Sequence, residues 1–159
     1  MIHYLIVFLI SMVPLIELRG AIPYGLALAE QFALSPLLIY TVSIIGNCLP
    51  VPFILLFIRK ILAWMQASRV EFFRKTADYV TEKGKKGFAR VQKYATVGLF
   101  LFVAVPLPGT GAWTGSLIAA LLDMKKSRAF LSIALGVLTA GVIMSLITGG
   151  ILAGLGWLL

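Results

Sequence analysis

Hydrophobic positions run along this chain in four long stretches, without the alternation or half-apolar faces of a water-soluble domain. Two stretches are clean. Residues 37–58 and 129–148 are each about 20 mainly apolar residues long, enough for a helix to cross a bilayer. The first would run about 33 Å at 1.5 Å per residue, with a kink expected at Pro50 and Pro52. The other two stretches are broken at their centres. Residues 2–29 contain Pro14-Leu15-Ile16-Glu17-Leu18-Arg19-Gly20-Ala21-Ile22-Pro23, and residues 94–123 contain Pro106-Leu107-Pro108-Gly109-Thr110-Gly111-Ala112-Trp113-Thr114-Gly115. Prolines and glycines at that density predict helices that stop midway. No basic segment precedes the first apolar run, which argues against a secretory signal peptide.

Between the halves the pattern becomes amphipathic. Ile61, Leu62, Met65, Phe72, Phe73 and Val80 recur at helical spacing among Arg69, Arg74 and Lys75, predicting one helix that ends near Gly84-Lys85-Lys86-Gly87. Such a helix lies on the membrane surface or packs on a partner subunit. The short tail, residues 149–159, is expected to extend the last span, and its Gly150/Gly154 spacing permits close helix packing.

Composition turns this pattern into a class. Sixty per cent of the residues are hydrophobic, 13% are charged and mean hydropathy is +1.01, against about 45–50% and about 25% in soluble domains. Soluble enzymes, disulfide scaffolds and disordered chains are excluded. A single Cys48 and a single His3 leave neither a disulfide framework nor a transition-metal site, and no cofactor is expected. The net charge of +8 suggests nucleic acid until it is mapped. Ten of the fourteen Lys and Arg lie between Arg59 and Lys93, three form Lys125-Lys126-Ser127-Arg128, and only Arg19 stands apart. Basic clusters beside apolar spans mark the cytoplasmic side of a multi-pass cell-membrane protein, so segments 59–93 and 125–128 are both expected there and no nucleic-acid partner is expected.

The halves resemble each other. Val13-Pro14-Leu15 recurs as Val105-Pro106-Leu107, Gly20-Ala21 as Gly111-Ala112, and Leu26-Ala27-Leu28-Ala29 as Leu117-Ile118-Ala119-Ala120. Chance likeness among Leu- and Ala-rich segments is the alternative. If both basic segments are cytoplasmic, residues 94–123 leave that side and return to it, most simply as a re-entrant hairpin of two half-helices. The repeat then sends residues 2–29 in from the opposite side, returning at a loop near Glu30 that lacks basic residues. The expected architecture is all-α and integral to the membrane, an inverted repeat of a re-entrant hairpin plus a transmembrane helix. It forms one domain: 1–58 as first repeat, 59–93 as basic amphipathic segment and 94–159 as second repeat. Inverted repeats with broken helices are a recurring plan of secondary transporters.

Candidate chemistry concentrates at the breaks. Ionisable groups at membrane depth are costly and usually face a cavity or a partner. Glu17 and Arg19 either pair and pin the hairpin, or work: Arg19 as anchor for a phosphate or carboxylate, Glu17 as a proton-coupling carboxylate. Gly20 and Pro23 flank them. In the second break, Pro108, Gly109 and Gly111 expose backbone N–H groups that attract anions or merely allow close helix crossing. Thr110 and Thr114 add hydroxyls and Trp113 an apolar wall. Asn47, alone in an apolar span, is either helix glue or a cavity donor. Glu30 and Asp123 are expected to be solvated, and Tyr4, Trp64 and Trp157 to be interfacial anchors. No second carboxylate, His or nucleophile–base pair accompanies Glu17, so an enzyme is not expected.

The runs Glu17–Pro23 and Pro106–Gly115 resemble the two signature segments of the small multidrug export protein family, across essentially the whole chain. That family looks like a compact branch of the DedA / SNARE-associated Golgi protein superfamily. The resemblance implies two facing re-entrant hairpins, and a role in recycling undecaprenyl phosphate, in drug resistance, or in phospholipid scrambling. Where the DedA second hairpin carries arginines, this chain has Val105 and Gly111, which leaves Arg19 alone. The leading expectation is a transporter of a lipid-linked anion (a polyprenyl phosphate or phospholipid). The alternatives are proton-coupled export of small amphipathic or cationic compounds, and a non-transporting scaffold. Membrane lipids and a second copy of the chain are the expected partners, the latter through glycines near 136, 141 and 150.

Overall fold

Every regular element in the computed structural model is an α-helix; the structure describes residues 1–68, 70–79, 82, 94–107 and 109–156, the last five by backbone alone. In order they are α1 (Ile2–Met12), α2 (Glu17–Ala27), α3 (Pro36–Cys48), α4 (Pro50–Ala67), α5 (71–79), α6 (Ala95–Ala104), α7 (Ala112–Leu121) and α8 (Lys126–Gly156). Two runs are long and apolar enough to cross a membrane, Pro36–Ala67 and Lys126–Ile151. The first joins α3 to α4, because Leu49 keeps helical dihedrals and donates to the Ile45 carbonyl at 3.0 Å. Pro50 and Pro52 only remove donors to the carbonyls of Gly46 and Cys48. Large apolar side chains such as Leu37, Phe53, Leu131 and Leu146 point outward, a surface that suits lipid and not water.

The first break is narrower than the sequence suggests. Val13 is extended, and Leu15 and Glu17 have φ of 73° and 52°, a left-handed conformation that costs a non-glycine residue about 1–3 kcal/mol. Gly20 and Pro23, expected to share in the break, lie inside α2. Pro23 removes one donor, to the Arg19 carbonyl, and neighbouring helices carry the rest. The second break covers, among the described residues, 105–107 and 109–111. Gly109 there has φ of 82°, where any side chain would be strained.

Packing follows the same order in both halves. α1 packs on α2 and α3, and α6 packs on α7 and α8; α2 also packs against α8, and α7 against α4. The main core gathers Leu18, Ile22, Val51, Leu55, Val103, Ile133 and Val137; a smaller one holds Val7, Ala21, Leu34 and Ile39. The tail extends α8, as expected, to Gly156. Gly136 and Gly141, expected between copies, are used within the chain. Gly136 meets Val103 of α6 and Gly141 meets Tyr40 and Ile44 of α3, whereas Gly149 and Gly150 face open space.

The amphipathic segment also differs from expectation. Ile61, Leu62 and Met65 belong to the last turns of α4, while Phe72 and Phe73 belong to α5. Ser68 is extended and its Oγ accepts from the Val70 N–H at 3.2 Å, a local bond that competes with helix continuation. α5 folds back on α4: Ala77 is buried, Gln66 donates to Asp78 at 3.1 Å and the Trp64 and Phe73 rings lie 6.3 Å apart. Val80 and the Gly84–Gly87 stop lie outside the described residues. Asp123 is solvated, as expected, its side chain 74% exposed, and from the surface it pairs with Arg59 at 2.9 Å while Arg59 Nε donates to the Ala120 carbonyl at 2.9 Å. That contact links the middle of α4 to the α7–α8 turn. Glu30 is exposed, Trp64 is two-thirds exposed, and Tyr4 accepts from the Ser35 N–H at 2.8 Å; Trp157 is outside the described residues.

Candidate functional site

The two breaks meet. The left-handed backbone at Leu15 and Glu17 starts α2 with Glu17 buried to 4% exposure and aimed at the start of α7. Its Oε1 accepts from the Trp113 N–H at 3.2 Å, and the Ala112 N–H and the Asn47 side chain face the same carboxyl. The first N–H groups of a helix have no intrahelical acceptor and carry partial positive charge. A carboxylate from the other half of the chain meets that need here.

Gly111 makes the approach possible. A Cβ there would fall on the Glu17 carboxyl, so any side chain at this position would displace that carboxyl from the start of α7. Its φ of 161° is ordinary extended backbone; space, not conformation, requires glycine.

Arg19, one helical half-turn further, also reaches across. Its Nη2 donates to the Thr110 carbonyl, and to the Thr110 hydroxyl at 2.9 Å. That hydroxyl lies 2.8 Å from the Val105 carbonyl and 2.9 Å from that of Leu107, so its own hydrogen stays within the second break. Arg19 Nε has no partner among the described residues. No ion pair joins Glu17 to Arg19 among the described residues, so the expected alternative of a mutual pair is replaced by two separate links to the second half.

Trp113 does more than wall the site. Its Nε1 donates to the Met12 carbonyl at 3.1 Å, which gives the end of α1 a partner on α7. Sequence carries no sign of the Met12 carbonyl's part. Asn47, singled out but not assigned to the site, belongs in it: it is 1% exposed and lines the closed crevice with Glu17, Leu18, Arg19, Val103, Gly111, Val137 and Ala140. That crevice has no room for a water molecule. The remaining candidates sit at the edge. Gly20 packs on Ile16 and Ile10 of its own half, Pro23 lies further along α2, Gly109 is exposed and Thr114 makes no side-chain hydrogen bond among the described residues. Pro108 lies outside the described residues. No three His, Cys, Asp or Glu side chains gather among the described residues.

An all-helical chain with two apolar spans, three shorter apolar helices among the described residues and a buried Glu17 where two breaks face each other is a membrane protein. Residues 17–143 match the model of the family described as "Putative small multi-drug export protein", and the chain belongs to that family. No curated protein and no solved structure matches it. The matched segment starts at Glu17, the last residue of the first break, and ends within α8, so it contains Glu17, Arg19 and the whole of the second break.

Proposed function

We propose that the protein is a transporter whose substrate site is the meeting point of the two breaks, and that it moves a lipid-linked anion across the bilayer with coupling to a proton at Glu17. The observation that carries this reading is the disposition of donors. Arg19 and the start of α7 border one crevice, and an anion, the Glu17 carboxylate, already lies on the first N–H groups of α7. A phosphate head offers the same chemistry as that carboxylate, with more acceptors for Arg19.

In this reading each half is a re-entrant hairpin followed by a span, and the halves are inverted. Helices of 10 or 11 residues support it: at 1.5 Å per residue they reach about half of a hydrocarbon core of about 30 Å. The recurring packing order of α1–α3 and α6–α8 supports it as well. The closed crevice corresponds to an occluded state, and opening to either side requires the Glu17 and Arg19 links to part.

A second reading, proton-coupled export of small amphipathic cations, is favoured by the family's description. There Glu17 binds the cation and Arg19 opposes it. Binding of a polyprenyl phosphate and of a lipophilic cation to the parent protein, Arg19→Ala, Arg19→Lys and Glu17→Gln separates the two. The anion reading expects phosphate binding to be lost in Arg19→Ala, weakened in Arg19→Lys and kept in Glu17→Gln, with pH dependence of transport lost in the last. Cation binding that disappears in Glu17→Gln and strengthens in Arg19→Ala selects the second reading. Unchanged binding of both ligands to all variants leaves a scaffold.

A further inference from the structure

Asn47 on α3 is 1% exposed, and its Oδ1 has no hydrogen-bond partner among the described residues. Buried polar oxygens are nearly always paired, so this one calls for a reason. The amide faces the Glu17 carboxyl, and both line the closed crevice at the breaks.

The hydrogen-bond inventory around Glu17 is one-sided. The Trp113 and Ala112 N–H groups are donors, and the nearby Arg19 guanidinium adds a positive charge. They suit a carboxylate, which only accepts. A protonated Glu17 carries an O–H, and its hydrogen needs an acceptor. Of the groups facing Glu17, Asn47 alone brings one that is unused. A half-turn about its Cβ–Cγ bond exchanges Nδ2 for Oδ1 in front of the carboxyl and needs no additional space.

We infer that Glu17 and Asn47 together form a proton-binding site, in which Asn47 serves the carboxylate through Nδ2 and the protonated acid through Oδ1. The inference rests on the reading of Glu17 as the proton-exchanging group and adds its positioning residue. It also adds a consequence. An acid turned toward Asn47 loosens its hold on the Trp113 and Ala112 N–H groups, because a neutral oxygen accepts more weakly than a charged one. Proton uptake therefore frees the start of α7 for an anionic head, and substrate release returns the carboxylate to it.

A sodium ion is the competing ligand for an orphaned oxygen beside a carboxylate. The geometry disfavours it. Hard cations gather several oxygen ligands, whereas this crevice offers two oxygen-bearing side chains, no room for water, and Arg19 as the charged neighbour. Among the described residues, α1, α3, α4, α6, α7 and α8 turn no other charged or titratable group toward Glu17.

Infrared difference spectroscopy of the full chain in lipid, titrated with pH, tests this. The parent protein should show a carboxylic-acid C=O band at low pH that Glu17→Gln lacks. In Asn47→Leu, of similar volume but without a polar atom, that band should move to higher frequency and its half-titration pH should shift. A band with unchanged frequency and midpoint overturns the role of Asn47 while leaving Glu17 a proton carrier. Absence of any Glu17 acid band across the pH range in which the protein stays folded overturns the proton reading itself. Loss of the band at fixed pH when sodium replaces potassium identifies a cation site and also overturns the inference. If Asn47→Leu does not fold, Asn47→Ala gives the same readings.

Discussion

Arg19 donates to Thr110, the residue 91 positions further along the chain, through both its carbonyl and its hydroxyl. The proposed repeat would relate Gly20 to Gly111 by that same offset, and would then place Thr110 in the second half where Arg19 stands in the first. A residue can touch its own counterpart only near the axis relating two halves. In the proposed inverted repeat, the pseudo-two-fold axis passes between these side chains and through the candidate site.

Arg19→Lys keeps the charge but presents a single ammonium to a carbonyl and a hydroxyl that a guanidinium reaches together. Thr110→Val keeps the carbonyl and loses only the hydroxyl bonds, about 1 kcal/mol. Arg19→Ala removes the link altogether and leaves the buried Glu17 without its charged neighbour, a loss of about 3 kcal/mol. Thermal unfolding in detergent should rank the three as Thr110→Val mildest and Arg19→Ala most severe. Equal unfolding temperatures for parent and Arg19→Ala would show that the link does not hold the breaks together.

Three glycine substitutions separate space from conformation. Gly111→Ala drives a methyl group into the Glu17 carboxyl and should both lower stability and disturb the site. Gly109→Ala has open space but a φ of 82°, so it should cost about 1 kcal/mol with the site intact. Gly149→Ala lies in a regular helix with nothing nearby, and should be neutral or slightly stabilising. Unfolding temperatures read these directly. A neutral Gly111→Ala would contradict the packing of Glu17 on that backbone.

The positions of the breaks were legible because proline and glycine act locally: Pro14 and the Pro106–Gly111 run mark them in the sequence. Their widths were not. Whether Pro23 ends a helix depends on whether neighbours pack on α2, and α3 and α8 do. The helix runs past Arg59, where the sequence places the end of the span, because charge marks where lipid ends, while a helix ends where its hydrogen bonds do, here at Ser68. At the site, Glu17 and Arg19 stand out in any reading as charges in an apolar stretch. Their partners do not. The Trp113 N–H, the Thr110 carbonyl and the Met12 carbonyl are backbone groups, and no residue identity announces that two chain segments will present them.

Topology provides the next test. With Cys48 replaced by Ser, single cysteines at Lys85 and at Lys126 should both react with an impermeant reagent added to the cytoplasmic side. A cysteine at Gln31 should react only from the opposite side. Labelling of positions 85 and 126 from different sides would make residues 94–123 a full crossing and remove the re-entrant hairpin.

The exposed breaks bear on assembly. Val13, Leu15, Ile16, Val105 and Leu107 lie at the surface of a single chain, yet irregular backbone facing lipid leaves polar groups without partners. A second copy would cover it. Gly136 and Gly141 are already engaged within the chain, whereas the faces at Gly149 and Gly150 are open to close contact. Gly149→Leu and Gly150→Leu should therefore weaken association without lowering the stability of the single chain. Mass measurement of the detergent-solubilised protein by light scattering is expected to give a dimer for the parent and a monomer for the double variant. A parent protein that is monomeric and fully active after reconstitution would exclude the second copy, and the breaks would then face a water-filled cavity.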